Sequence, residues 1–165
     1  MLYFSYGSNM SSKRVKDRVP SANFVTVATL YKHDLRFHKK GKDDSGKCDV
    51  YETNNNEHSV IGVVFEISEL EKPGLDRIEE LGYGYEEKIV RLTAYAGEII
   101  EATTYYATSI DSRLKPYHWY KHHVLTGAKE NRLPEVYKVK ISNIASIPDS
   151  NSERDKKEMT IYACE

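Results

Sequence analysis

Residues 60–67, Val60-Ile61-Gly62-Val63-Val64-Phe65-Glu66-Ile67, are apolar at nearly every position. A strand with one wet face alternates polar and apolar residues. A run such as this one instead reads as a strand covered on both faces. Gly62 inside it marks a bulge or a close approach of another backbone. C-terminal to the run, Ser68-Glu69-Leu70-Glu71 matches a capping box and predicts a helix that kinks at Pro73-Gly74 and continues through Leu75 to Leu81. On the N-terminal side, Phe24 to Leu30 is rich in β-formers and Asp34 to His38 alternates, while Lys39 to Gly46 is a charged loop.

Further out, Leu2 to Tyr6 reads as a first strand. Ser11 or Ser12 then caps a short helix that Pro20 stops. Glu87 to Tyr95 and Glu101 to Ala107 form a hairpin turning at Ala96-Gly97. Pro116 opens a helix through Leu125, and Pro134 opens another through Ile144. Strands scattered among a few helices, rather than alternating with them, predict an α+β fold: a small mixed β-barrel with a few surrounding helices. Residues 1–148 read as a single domain. Residues 149–165 read as a polar tail, weakly structured over Asp149 to Glu158, with a short edge strand at Met159 to Cys164.

The chain has 165 residues, with 24 Lys and Arg against 25 Asp and Glu. That balance creates no global field for nucleic acid or a membrane surface, and neither is expected as a partner. No segment approaches the roughly 20 apolar residues that span a bilayer, and no signal peptide is evident, so the chain reads as cytoplasmic. Cys48 and Cys164 are the only cysteines, in no metal or redox motif; a single cross-link between them is all they allow. The 13 tyrosines against four phenylalanines suit a lined pocket as well as a half-exposed sheet.

Four stretches bear on chemistry. Tyr6-Gly7-Ser8-Asn9 is either an ordinary turn or a loop whose N–H groups, with the Ser11 helix behind them, hold a carboxylate or phosphate. In Leu75-Asp76-Arg77-Ile78-Glu79-Glu80-Leu81, the apolar residues share a helical face. Glu79 lies at its margin, as either a general base or a solvated charge. Gly82-Tyr83-Gly84-Tyr85 lacks the third glycine of a dinucleotide loop and follows a helix, so it reads as a pocket wall. His118 and His122 lie one turn apart, but no third ligand accompanies them, and no metal is expected; the helix reads as His outward with Trp119 or Tyr120 inward. Neither an esterase elbow nor a cysteine nucleophile is apparent.

Three segments together carry a resemblance: Tyr3-Phe4-Ser5-Tyr6-Gly7-Ser8-Asn9-Met10, Leu75-Asp76-Arg77-Ile78-Glu79, and Tyr120 to Pro134 with its Gly127-Ala128-Lys129-Glu130-Asn131-Arg132-Leu133-Pro134 core. In this order and spacing the chain resembles the γ-glutamylcyclotransferase family. The resemblance implies a barrel-centred α+β fold whose cavity takes a small-molecule γ-glutamyl substrate. It implies cyclisation of a γ-glutamyl amide to 5-oxoproline with release of an amino acid or amine, without a cofactor. Residue by residue it makes Tyr6, Gly7, Ser8 and Asn9 the substrate loop and Glu79 the acid/base. It aligns Tyr85, Tyr105 and Tyr120 with pocket tyrosines, Tyr120 by its spacing to Gly127. Two departures stand out: Glu80 replaces a small residue, and the loop through Tyr83 is shorter. The alternatives are a cyclotransferase specific for γ-glutamylamines, and a non-catalytic module that binds acidic metabolites. The oligomeric state stays open, a homodimer among the options.

Overall fold

The computed structural model describes residues 1–163. Five strands close into a barrel in the order β1-β5-β2-β6-β7, where β1 is Leu2–Ser5, β2 Asn23–Tyr31, β5 Ser59–Glu66, β6 Tyr85–Ala94 and β7 Ile99–Ala107. Strand β1 pairs antiparallel with β5, Phe4 opposite Val64, and closes the ring by a parallel contact with β7 at Tyr3 and Thr103. β3 (His33–Lys40) and β4 (Gly46–Glu52) form a separate two-stranded sheet. The helices are α1 (Ser12–Arg18), α2 (Lys72–Ile78), α3 (His118–Glu130), α4 (Glu135–Ser142) and α5 (Ser152–Met159). This is the α+β barrel that the scattered strands predict.

The apolar run sits where both of its faces are covered: Val63, Val64 and Phe65 are consecutive and all buried. Gly62 is a site of close approach. A Cβ there would lie 2.3 Å from the Ser5 carbonyl oxygen and 2.7 Å from the Phe4 ring, so only glycine lets β1 lie against β5. The bulge is elsewhere, where β2 slips against β5 between Phe24 and Thr26. The hairpin forms with β6 and β7 paired from Tyr85–Ala107 to Thr93–Ile99.

Several expectations need correction. No helix starts at the Ser68 capping box, because its glutamate is engaged elsewhere. Glu71 accepts from Ser21 N at 3.0 Å and Ser21 Oγ at 2.6 Å, and Ser21 Oγ in turn accepts from Ser68 N at 2.9 Å. Helix α2 therefore begins at Lys72, with Pro73 in its first turn, and ends at Ile78 rather than Leu81. Leu75 is fully buried but Ile78 is exposed, so the apolar face is narrower than the sequence pattern suggests. Strand β4 has no alternating signature, since its inward polar groups are satisfied within the protein: Lys47 by Asp43 at 2.7 Å and Asp49 by His38 at 2.7 Å.

The polar tail is ordered into a helix. Asn151 caps α5 by accepting from Arg154 N at 3.0 Å, and Arg154 clamps Asp149 through Nε at 2.5 Å and Nη2 at 2.6 Å. Met159 closes that helix and residues 160–163 turn, so no edge strand forms there; Cys164 lies outside the described residues.

Candidate active site

Strand β1 runs straight into Tyr6-Gly7, after which Ser8–Met10 make a single 3-10 turn. Among the described residues, the N–H groups of Gly7, Ser8 and Asn9 have no protein acceptor, whereas Met10 N is satisfied by the Gly7 carbonyl at 3.1 Å. The N-terminus of α1 is not part of this loop's anion site, contrary to expectation. Ser11 Oγ accepts from Arg14 N at 3.4 Å, and Glu130 accepts from Ser12 N at 2.9 Å, so the chain's own groups occupy that helix end.

The loop is braced from behind by α3. Gly127 lets the helix backbone touch the loop: a Cβ there would fall 2.5 Å from Ser11 N and 2.6 Å from Met10 Cβ. Asn131 Nδ2 donates to the Met10 carbonyl at 2.9 Å. The segment Gly127 to Asn131 thus supports the loop mechanically, and Tyr120, two turns earlier on the same helix face, reaches the cavity itself.

That cavity is narrow, about 30 Å³ in volume, and lies at the mouth of the barrel. Tyr6, Gly7, Ser8, Asn9, Glu79, Tyr85, Tyr105 and Tyr120 all line it, joined by Tyr3, Ser5 and Cys48. Every residue to which the resemblance gives a role is therefore brought together here. Tyr83 is not: it is exposed, so the pocket-wall reading of its loop holds only for Tyr85.

Glu79 sits one residue past the end of α2, where its side chain turns inward. Its Oε1 accepts from Asn9 Nδ2 at 2.8 Å and from Arg18 Nη1 at 3.3 Å. Arg18 also donates to Asn9 Oδ1 at 2.8 Å, which fixes the orientation of the Asn9 amide. Glu80 adopts φ of +57°, the left-handed region, which directs its carboxylate to Lys39 at 2.8 Å and Lys42 at 2.9 Å instead. A small residue at that position would suit the backbone but would leave the two lysines without their acceptor.

The tyrosine hydroxyls are committed unequally. Tyr6 donates to the Tyr105 carbonyl at 2.6 Å, Tyr85 to the Cys48 carbonyl at 2.5 Å, and Tyr105 to Asp76 at 2.6 Å. Their oxygens remain available as acceptors only. Tyr120, by contrast, accepts from Cys48 N at 3.1 Å and keeps its own proton to give. Burial pushes the Tyr6, Tyr85 and Tyr120 hydroxyls well up, and burial together with the Asp76 hydrogen bond does the same for Tyr105; all stay protonated. Burial also pushes the Cys48 thiol up to about 12, which leaves it inert as a nucleophile.

Sequence reasoning missed Tyr3, Arg18 and Asp76 as parts of this site. Tyr3 was within reach, since it and Ser5 share one face of β1. Arg18 sits in a charged helix and carries no signal of its own. The histidine reading needs one amendment: His118 is exposed and Trp119 and Tyr120 are buried, but His123 is fully buried too, between Glu158 at 2.8 Å and the Tyr162 hydroxyl at 2.9 Å. Among the described residues no group of three or more His, Cys, Asp or Glu side chains is arranged to hold a metal.

Comparison with known proteins bears on the same residues. The AIG2-like family matches residues 59–141. The γ-glutamylcyclotransferases of Bos taurus and Homo sapiens are each 34% identical over 149 residues, covering 87% of this chain and 78% of theirs. A solved γ-glutamyl cyclotransferase structure superimposes with a TM-score of 0.86 at 28% identity, over 96% of this chain and 98% of that one. The chain belongs to the γ-glutamylcyclotransferase, or AIG2-like, family.

Proposed function

We propose that this cyclotransferase converts a γ-glutamyl amide to 5-oxoproline and a free amino acid or amine, with Glu79 as its proton carrier. One observation carries the assignment: Glu79 is the only Asp, Glu, His, Lys or Arg side chain lining the inner cavity among the described residues, and it faces a loop with three unengaged N–H groups.

The substrate supplies its own nucleophile. Its α-amine can reach the γ-carbonyl and close a five-membered ring, so the protein must fold the chain and move protons. Holding reacting groups in that conformer is worth effective molarities of about 10⁵ M or more. Glu79 takes a proton from the α-ammonium, and the freed amine adds to the γ-carbonyl carbon. The N–H groups at Gly7, Ser8 and Asn9 stabilise the oxyanion or anchor the α-carboxylate. Glu79 returns that proton to the departing nitrogen as the old C–N bond breaks. It then takes the second proton, which the ring nitrogen gives up to become the lactam N–H, and passes it to the released amine, which leaves as an ammonium. Tyr6, Tyr85 and Tyr105 suit the substrate ammonium, because their oxygens can only accept; Tyr120 suits a carboxylate or carbonyl, because it can donate. These steps need no group beyond those named.

The partner in this reading is a small γ-glutamyl molecule, not nucleic acid or membrane, and the setting is the cytoplasm, where a free thiol such as Cys48 persists. No helix is long and apolar enough to cross a membrane among the described residues. The test is to incubate the protein with γ-glutamyl amino acids and γ-glutamylamines and assay 5-oxoproline. Product from the amino-acid conjugates is expected. Product from amine conjugates alone would move the reading to a γ-glutamylamine cyclotransferase. Stoichiometric binding without product would defeat catalysis in favour of a binding module.

A further inference from the structure

The inner cavity opens outward into a second chamber of about 350 Å³; Ser8, Glu79, Tyr85 and Tyr120 line both. The bond to be cut lies at Glu79, so whatever departs from the γ-glutamyl group stands in this outer chamber. Its lining differs in kind from that of the inner cavity. No Lys or Arg lines the inner cavity, whereas Arg14, Arg18, Lys39, Lys42, Lys47 and Arg154 all line the outer one, against Asp43, Glu79 and Glu80.

Most of these cations have partners. Lys47 pairs with Asp43, Arg154 backs onto Asp149, and Arg14 backs onto Glu158. Two places are left undersupplied with negative charge. At the rim, Lys39 and Lys42 share the single carboxylate of Glu80. The Lys39 side chain is 3% exposed and that of Lys42 is 81% exposed, so one ammonium is fixed and the other is free to meet a ligand. Deeper in, Arg18 uses only Nη1 on Asn9 and Glu79, and its other nitrogens have no acceptor among the described residues. Arg14, one helical turn before it, has a buried Nε with no acceptor among the described residues. A buried cationic donor without a partner is costly, and a ligand oxygen would relieve it.

We propose that the outer chamber selects a leaving group with two carboxylates: the substrate is the γ-glutamyl conjugate of a dicarboxylic amino acid. The proposal rests on the cyclotransferase reading of the inner site. The α-carboxylate of the departing amino acid is two bonds from the nitrogen that Glu79 protonates, which puts it beside the unengaged nitrogens of Arg18. The side-chain carboxylate extends toward Lys42 and Lys39. Glu80 does not repel it, since both lysines already hold that carboxylate and still exceed it by one charge. A neutral side chain of the same length would fill the chamber without meeting the surplus, and a cationic one would oppose it.

The discriminating pair is γ-glutamyl-glutamate against γ-glutamyl-glutamine, equal in size and different by one charge. Their kcat/KM ratio, read from 5-oxoproline release, is expected to favour the glutamate conjugate by roughly tenfold, mainly through KM. The preference should shrink as salt rises. Lys42→Gln should lower the ratio roughly threefold, since an exposed lysine contributes less than a buried one, and Lys42→Arg should restore it. Because Lys42 is solvent-exposed, neither change threatens folding. A wild-type ratio near one, with product from both conjugates, would overturn the chamber proposal and leave the cyclotransferase reading standing; so would a preference that Lys42→Gln leaves intact. No product from either conjugate or from γ-glutamyl-alanine would bring down both.

Discussion

Asn9 and Glu79, separated by 70 residues in the chain, meet at 2.8 Å, with the Asn9 amide donating to the carboxylate. The contact joins the loop after β1 to the end of α2, and Arg18 locks it by bonding to both partners. The loop that is to hold the substrate and the group that is to move its protons are therefore one hydrogen-bonded unit. Displacing either displaces the other.

Glu79→Gln keeps the side chain's size and its acceptor for Asn9 but removes the proton carrier. Turnover should fall about 10²- to 10⁴-fold while substrate still protects the protein against thermal unfolding. Glu80→Gln, whose carboxylate serves Lys39 and Lys42 instead, should lose less than about tenfold. A Glu79→Gln protein releasing 5-oxoproline at near wild-type rate would refute the assignment.

Asn9→Ala removes the donor that orients Glu79 and leaves the Tyr3 hydroxyl without the Asn9 amide at 3.2 Å. Loss of such a buried pair should cost about 1–3 kcal/mol of stability, measured by urea unfolding. The accompanying fall should be in kcat more than in KM, because Glu79 loses its orientation while the backbone N–H groups remain.

Gly127→Ala drives a methyl into Ser11 N and Met10. Overpacking against backbone should destabilise the protein by about 1–3 kcal/mol. Because the contact is with the substrate loop, KM should rise as well. Ala128→Gly, on the same helix, should destabilise by helix propensity and lost burial while leaving KM near its original value.

Acid should loosen α5 before it affects the barrel. Hydrogen bonding from His123 and the charge of Arg14 hold the Glu158 carboxyl down at about 2, against an ordinary value of about 4.5. A depressed carboxyl contributes stability that is present above its unfolded value and lost as pH falls through its folded one. That contribution should disappear between about pH 4.5 and 2. Burial holds His123 below its ordinary value, so a second contribution is lost as pH falls below about 6.5. Hydrogen exchange along 152–159 should accelerate across both windows, while β5 and β6 stay protected.

How far the sequence foretold all this depends on what each segment had to signal. The β5 run declared itself because burial on both faces demands continuous apolar residues. The hairpin did so through its turn, and the cavity residues through motifs whose spacing survives in the chain. Strand β4 was silent, since Lys47 and Asp49 are inward-facing polar groups whose partners, Asp43 and His38, only the folded chain supplies. The capping box misled for the same reason, Glu71 having been claimed by Ser21. Helix α5 depends on a local clamp, Arg154 on Asp149, in a stretch whose composition alone reads as solvated. Arg18 became visible as part of the site only when α1 was placed beside α2.

The parallel contact that closes the barrel has a consequence for the order in which the molecule assembles. Strand β1 is gripped by β5, some sixty residues on, and by β7, about a hundred residues on. The β6–β7 hairpin can form locally and early, but the slot for β1 exists only when both distant strands are in place. The loop hangs directly from β1 and leans on Gly127 of α3 and on Asn131 just after it, so its shape depends on ring closure and on that helix together. A chain cut short before α3 should therefore lack turnover, since it is missing both the helix behind the loop and Tyr120 in the cavity, even where its hairpin has formed.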